Sequence, residues 1–342
     1  MRRLGLTWRR GLAAALLVLG GLAAVLWFAP SDQYLLLPDK ARLVEPLVEV
    51  PSEPANGDEG EGRGGIFMVD ILVRKANLLE RLFPGLNDGA TLVPARVFNP
   101  VGVSEQERRK SSNLDMTRSQ QIAAAVALRS LGYLVDATPS GAEISLVVPG
   151  TPAAEAKLQP GDVIVEAEGQ EVRTPEDLRS ALETVEPGTQ VTLTIRRSGG
   201  LSEHTVGTIP AEDDQDRAVM GVIVQQAADI ELPVKIKIDA GSIGGPSAGL
   251  AFALDIVDEL GTDVDRGRRI VVTGALALDG QVEPIGGIKQ KTIGAKNAGA
   301  DLFVVPLGNA AEAREYADGL EIVPVATFEE ALDDLGAEPV TS

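Results

Sequence analysis

Two glycine-rich stretches constrain this 342-residue chain more than any other text in it: Gly-Gly-Pro-Ser-Ala-Gly at 244–249 and Pro-Ile-Gly-Gly-Ile-Lys-Gln-Lys at 284–291. After Ser247, Leu250, Ala253, Leu254 and Val257 recur at helical spacing, so the first stretch is a tight turn entering a helix. Such a turn gathers free backbone N–H groups and the positive end of the helix dipole, which can hold the oxyanion formed when a serine attacks a carbonyl. The same geometry also serves a helix-capping serine or a phosphate cradle. No Gly-x4-Gly-Lys-Ser/Thr sequence occurs, however, and Pro246 removes an N–H where a cradle needs one.

A serine needs a base, and in a triad that base is histidine. The single histidine, His204, lies in a polar stretch read as a strand end of a different domain. The second glycine-rich stretch offers a lysine instead. Lysine acts as a base only when its pKa falls, and burial of Lys291 among Ile285, Ile288 and Ile293 would do that by desolvation. The plain alternative makes Lys289, Lys291 and Lys296 solvated residues of a helix. Between the two stretches, residues 271–282 read as two strands joined by a turn at Asp279-Gly280.

The chain is long enough for two or three domains. Without cysteine it has no disulfides, thiolate metal sites or cysteine nucleophiles. With a net charge of −19 it is ill suited to nucleic acid. Clustered histidines and metal-ligand spacing of carboxylates are also lacking, so no metal or other cofactor is expected. Residues 11–29 form an uncharged stretch rich in Leu, Ala and Val, long enough as a helix to cross a bilayer. Arg2, Arg3, Arg9 and Arg10 precede it and Asp32 follows, which places residues 1–10 in the cytoplasm and the body outside, at the cell membrane. A cleaved signal peptide is the competitor, but the exit Trp-Phe-Ala-Pro-Ser-Asp has no clear small-x-small pair, which favours a retained anchor.

Residues 31–135 form a membrane-proximal region. Within it, 51–65 is acidic, Gly- and Pro-rich and is expected to be a mobile loop. Strands are predicted at 66–74 and 91–98, and an Ala-rich helix at 116–131, capped by Asp115 or Thr117 and stopped at Gly132. Residues 136–210 read as a small β-rich module: a strand at 144–148, a tight turn at 158–162, a helix opened by Thr174-Pro175 and a last strand at 190–197. An acidic break at 212–216 separates it from residues 215–338.

The module resembles a PDZ domain of bacterial envelope proteases, on Val148-Pro149-Gly150-Thr151-Pro152-Ala153-Ala154, Leu158-Gln159-Pro160-Gly161-Asp162-Val163-Ile164 and Glu168-Gly169-Gln170-Glu171-Val172. That resemblance implies a groove in which a peptide adds as an extra strand, its carboxylate held by backbone N–H groups. By position the groove would involve Gly141, Ala142, Glu143 and Ile144.

Residues 244–300 resemble the proteolytic domain of the Lon family, which uses a Ser-Lys dyad. Gly-Pro-Ser-Ala-Gly stands at 245–249, Gly-Gly-x-Lys-x-Lys at 286–291 and Thr-Gly at 273–274. The resemblance implies Ser247 as nucleophile and Lys291 as base, supported by Thr273, Gly245 and Gly249. Where the family commonly has an acidic residue two places before the motif proline, this chain has Gly244. Met116-x-x-Ser119 is similar to the family's helix preceding the serine, so the protease domain is expected to start near Gly65, with 66–131 as its N-terminal part and the PDZ module inserted. The overall expectation is an α+β chain: a transmembrane helix, a small β-rich PDZ module and an α+β Lon-type proteolytic domain.

The order of segments is similar to membrane-anchored PDZ-containing Lon-like proteases of bacteria. This implies an endopeptidase that works without ATP on exposed or unfolded protein segments and, by resemblance only, a homo-oligomer such as a hexamer. The alternatives are a non-catalytic PDZ adaptor at the membrane and a protease that processes only itself.

Overall fold

The structure, a computed structural model, describes residues 4–50, 64–95, 102–211, 213–241 and 243–337. The expected mobile loop therefore lies, apart from Gly64 and Gly65, outside the described residues, as do Arg2 and Arg3. The chain opens with a long helix, α1 (Leu4–Phe28). Within it, Arg10–Phe28 has a mean hydropathy of 2.3 and no part buried against the rest of the chain, so it is long and apolar enough to cross a membrane.

Next come β1 (Pro30–Leu43), β2 (Gly65–Asn77), α2 (Leu78–Leu82), β3 (Thr91–Pro94) and α3 (Glu105–Ser130). Strand β3 ends at Pro94, short of the expected 98, and residues 96–98 lie outside the described set. Helix α3 starts well before the expected residue 116. Its cap is Ser104, whose side chain accepts from the Glu107 N–H while Glu107 accepts from the Ser104 N–H. That reciprocal capping box, not Asp115 or Thr117, fixes the start, and the polar first turns need no buried face.

The β-rich part contains β4 (Asp136–Val147), β5 (Val163–Ala167), α4 (Pro175–Leu182), β6 (Gln190–Arg197), β7 (Gly200–Gly207) and β8 (Val222–Glu231). They form one sheet in the order β8-β4-β5-β6-β7, with the short strand Gln170–Glu171 beside β5. Strand β6 was expected to be the last of the module, yet β7 follows it as a hairpin partner and carries His204 opposite Leu193. Alternate residues of these strands, including Ile144, Ile164, Leu193 and Ile195, close over Leu178 and Ala181 of α4.

The remaining elements are α5 (Gly249–Glu259), β9 (Arg269–Val272), β10 (Ala275–Leu276), β11 (Val282–Glu283), α6 (Ile288–Asn297), β12 (Leu302–Pro306), α7 (Ala310–Tyr316), β13 (Glu321–Val325) and α8 (Phe328–Leu335). A second sheet runs β13-β12-β9-β2-β1-β3. Strands β2, β9, β12 and β13 are parallel neighbours, and β1 pairs antiparallel with β2 and β3. With period 2, Ile66, Met68, Ile270, Val272 and Val304 face a core shared with α3 and α5, while Val69, Val271, Phe303 and Val305 face α6 and α7. A sheet covered on both sides explains why its central strands are almost wholly apolar.

One buried group in this core opposes its surroundings. Asp255 of α5 is 3% exposed, its Oδ2 lacks a partner among the described residues, and burial together with Glu259, Asp258, Glu45 and Asp265 raises its pKa to about 9. Between the ordinary value of 3.8 and about 9, the folded carboxyl keeps a proton that the unfolded one has lost. Stability should therefore fall as pH rises through that window, by up to about 1.4 kcal/mol per unit from this group. Asp255→Asn should flatten that slope in urea unfolding of the full chain in detergent; an unaltered slope would clear Asp255 as its source.

Candidate active site

The turn before α5 is shaped by glycine and by contacts with α3. Gly245 has φ of +86°, a left-handed conformation that glycine adopts without strain. Its N–H donates to Ser112 O at 3.0 Å, and Ser119 Oγ donates to Pro246 O at 3.1 Å. A Cβ on Gly249 would lie 2.8 Å from Ser119 Oγ, and one on Gly244 only 2.2 Å from Ser112 Oγ. The missing side chains thus let the turn sit directly on α3, and Met116 of that helix is buried in the same core as α5. Among the described residues, no backbone acceptor is paired with the N–H groups of Ser247 or Ala248.

Thr273 continues β9, and its N–H donates to Val304 O. Its Oγ1 donates to Ser247 O at 3.2 Å, and the Gly274 N–H donates to the same oxygen at 2.9 Å. Gly274 has φ of +157°, and a Cβ there would lie 2.9 Å from Val282, so the strand end lies close against its neighbours. From the other face of the sheet, α6 begins at Gly287 (φ +72°) and carries Lys291 on its first turn. Lys291 Nζ reaches Ser247 Oγ at 2.7 Å and Thr273 Oγ1 at 3.1 Å.

Lys291 is 2% exposed and Thr273 wholly buried. Burial lowers the lysine pKa to about 8, and the charge of Asp70 on β2 works against it. Of the flanking isoleucines, Ile288 is buried and Ile285 packs against the same core. Lys289 is half-buried over the Tyr316 ring and Lys296 pairs with exposed Asp318, so of the three lysines only Lys291 is buried. His204 Nε2 sits 3.1 Å from Ser202 Oγ in β7, in the other sheet. Ser247, Lys291, Thr273, Gly245 and Gly249 are thus brought together at one point.

Gly141, Ala142, Glu143 and Ile144 require a correction. They lie within β4, which is flanked by β8 on one side and β5 on the other, so a peptide cannot add there. Ala142 and Ile144 are wholly buried. Glu143 is held by Arg118 at 2.8 Å and by Gln225 at 3.2 Å, and a Cβ on Gly141 would strike Val163 and the Ile164 carbonyl. The sheet edge belongs to β8 instead. Between β8, α4 and the residues before β8 lies a cleft of about 400 Å³ lined by Leu178, Leu182, Met220 and Val222. Its sequence signal was the apolar run 218–224 after the acidic break, which the expected boundary near 215 assigned to another domain.

Residues 219–336 match the family model for the Lon protease (S16) C-terminal proteolytic domain, and residues 143–197 that for the PDZ domain. Lon protease 2 of Bacillus subtilis is 37% identical over 112 residues, covering 33% of this chain and 19% of that protein. The Lon protease of Azorhizobium caulinodans is 39% identical over 92 residues, 26% of this chain and 11% of that protein. The match to these relatives therefore spans a fifth of their length or less. The PDZ domain of an SdrC-like protein from Listeria monocytogenes aligns over 25% of this chain and 87% of its own, at 16% identity and a TM-score of 0.23.

The close seat of the turn on α3 is open to test. Gly244→Ala should cost about 1–3 kcal/mol through the clash with Ser112, read as a lower urea midpoint, and the double variant with Ser112→Gly should recover part of it. A Gly244→Ala midpoint equal to that of the parent would show that the turn has room to spare. By its matched segments, the chain carries a Lon-type proteolytic domain in residues 219–336 and a PDZ domain in residues 143–197.

Proposed function

We propose that this chain is a serine endopeptidase that hydrolyses exposed or unfolded protein segments without ATP. The observation that carries this reading is the 2.7 Å approach of a buried lysine amine to a serine hydroxyl on a glycine-rich turn. Neutral Lys291 takes the Ser247 Oγ proton as Oγ bonds to the substrate carbonyl carbon. The N–H groups of Ser247 and Ala248 face the developing oxyanion. The C–N bond then breaks as the Lys291 ammonium returns its proton to the leaving amine. Water, with Lys291 again as base, releases the acyl group and restores the serine. Thr273 holds the lysine amine on the nucleophile and ties the serine backbone to β9.

In this reading α1 is a retained anchor, with the N-terminus cytoplasmic and the body outside. The proteolytic domain takes in the segment before the PDZ domain, from β1 on and not only from Gly65, because β1 and β2 share one sheet with β9 and α3 supports the serine turn. The PDZ domain is an insertion within it that takes peptide at the β8 edge and α4, the place where an added strand finds unpaired backbone.

The test is digestion of a denatured protein by the full-length chain in detergent. Ser247→Ala and Lys291→Ala should each lose roughly a thousandfold or more in kcat/KM, as expected when residues act as a unit, while added ATP or a chelator should leave the rate unchanged. Because only neutral Lys291 accepts the proton, kcat/KM should climb as pH rises and level off above about 8. Equal activity in the serine variant would sink the proposal, and a rate falling across that range would remove Lys291 as the base.

A further inference from the structure

Among the described residues outside α1, Leu82, Phe83 and Leu86 make the largest local group of exposed bulky apolar side chains, at 59%, 57% and 55%. With Pro84 and Gly85 between them, they form an exposed run that carries no charge from Arg81 to Asp88. An apolar group of this kind marks a contact surface. Its place in the fold names the partner. Helix α1 ends at Phe28 and β1 begins at Pro30, so the membrane-crossing length of helix passes into the sheet without a linker. The start of α2 is fastened to that junction. The Leu78 N–H donates to Ala29 O at 2.9 Å, Arg81 pairs with Asp32 at 2.7 Å, and Ser31 Oγ donates to Ala76 O at 2.8 Å. Trp27 and Phe28 close α1 as exposed aromatic residues, the type that lies at a membrane–water boundary.

Resting on the anchor reading above, we propose that Leu82, Phe83 and Leu86 dip into the lipid bilayer at its water boundary, as a second membrane contact beside α1. The local chemistry suits lipid. An unpaired backbone N–H is costly there, and the turn leaves few: Phe83 donates to Leu79 O, Leu86 donates to Phe83 O, and Pro84 has no N–H. Glu80, the only acidic residue of α2, is 2% exposed and is held by Arg74 and Asn87, so its charge is withdrawn from the surface. Arg81 and Asp32 neutralise each other. Three bulky apolar side chains are left to enter the headgroup and acyl boundary.

The residues that follow the run are fastened to the helix that carries Lys291. Gln290 of α6, 2% exposed, donates through Nε2 to Gly89 O at 3.0 Å and to Thr91 Oγ1 at 2.8 Å. A Cβ on Gly89 would lie 2.7 Å from Ile293 of the same helix, so the loop sits close against it. A bilayer that seats residues 82–86 therefore holds the body at two points, through α1 and through the loop bound to α6. The body does not swing about its anchor.

The experiment uses the full-length chain in phosphatidylcholine nanodiscs, with and without bromine on the acyl chains near the headgroups. The only tryptophans are Trp8 and Trp27, and the chain has no cysteine, so single probes can be placed. With both tryptophans replaced by Phe, Phe83→Trp should lose most of its emission in brominated lipid. Leu201→Trp in the same background, at an exposed position of β7, should keep its own. Trp27, left as the sole tryptophan by Trp8→Phe, reads insertion of α1. Quenched Trp27 beside unquenched Phe83→Trp would overturn the docking and leave the anchor standing. Unquenched Trp27 would remove the anchor reading and the docking with it. As a second readout, Leu86→Cys should react with a water-soluble maleimide several-fold more slowly than Leu201→Cys, and equal rates would overturn the proposal. Protection of Leu86→Cys without quenching at Phe83→Trp would do the same, since it would mean that protein, such as a second copy of this chain, covers the run.

Discussion

The structure turns on one buried amine. Water solvates an ammonium far better than a protein core does, so a lysine that is 2% exposed and, among the described residues, lacks a carboxylate in its hydrogen-bond shell is pushed toward its neutral form. What keeps it there is a convergence of packing. Helix α6 starts at the left-handed Gly287, whose missing Cβ avoids Ile71, and β9 leads directly into Thr273 and Gly274, both bound to the Ser247 carbonyl. The lysine comes from one face of the central sheet and the serine from the other. They meet only because the sheet stops at that point.

The two domains are joined through secondary structure and not through a flexible hinge. Strands β4 and β8 pair from Asp136–Glu231 at one end to Val147–Val222 at the other. Near the first end, Ala137, Ala228 and Ile230 pack on the core that holds α3 and α5. Near the second, Ala142, Ile144, Val222 and Val224 pack on the core around α4. The same ribbon therefore belongs to both cores, and moving one domain against the other requires bending a hydrogen-bonded ladder. Register shifts at Ile223/Val224 and Ala227/Ala228 supply the local twist that lets the ribbon pass from one core to the other.

The local chemistry of the site was legible in the sequence because glycine, proline and lysine at fixed short spacings dictate a turn, a helix start and a side chain on its first turn. Burial of Lys291 among apolar neighbours could be argued from Ile288 for the same reason. The open sheet edge at β8 was not legible. Position alone suggests residues 141–144, but the slot beside that strand is taken by β8, which arrives about 80 residues later in the chain, and long-range pairing leaves no mark on local pattern. The early start of α3 was missed for a different reason. Residues 105–114 are too polar to show a helical stripe, and their one signal was the spacing of Ser104 and Glu107.

Asp70 shows that burial alone does not set the amine. From β2 its charge favours the ammonium and opposes desolvation, leaving Lys291 near 8 instead of lower. A weaker opposition would give more neutral amine but a poorer proton acceptor, and a stronger one would leave too little neutral amine to accept anything. A base performs best when its pKa lies near the working pH, because both its available fraction and its proton affinity then count. Strand β2 also carries Met68 into the core that seats α5 and Val69 into the one that seats α6. The residue that tunes the lysine is thus on the element that positions both partners, so the geometry of the pair and its proton affinity are set by the same strand.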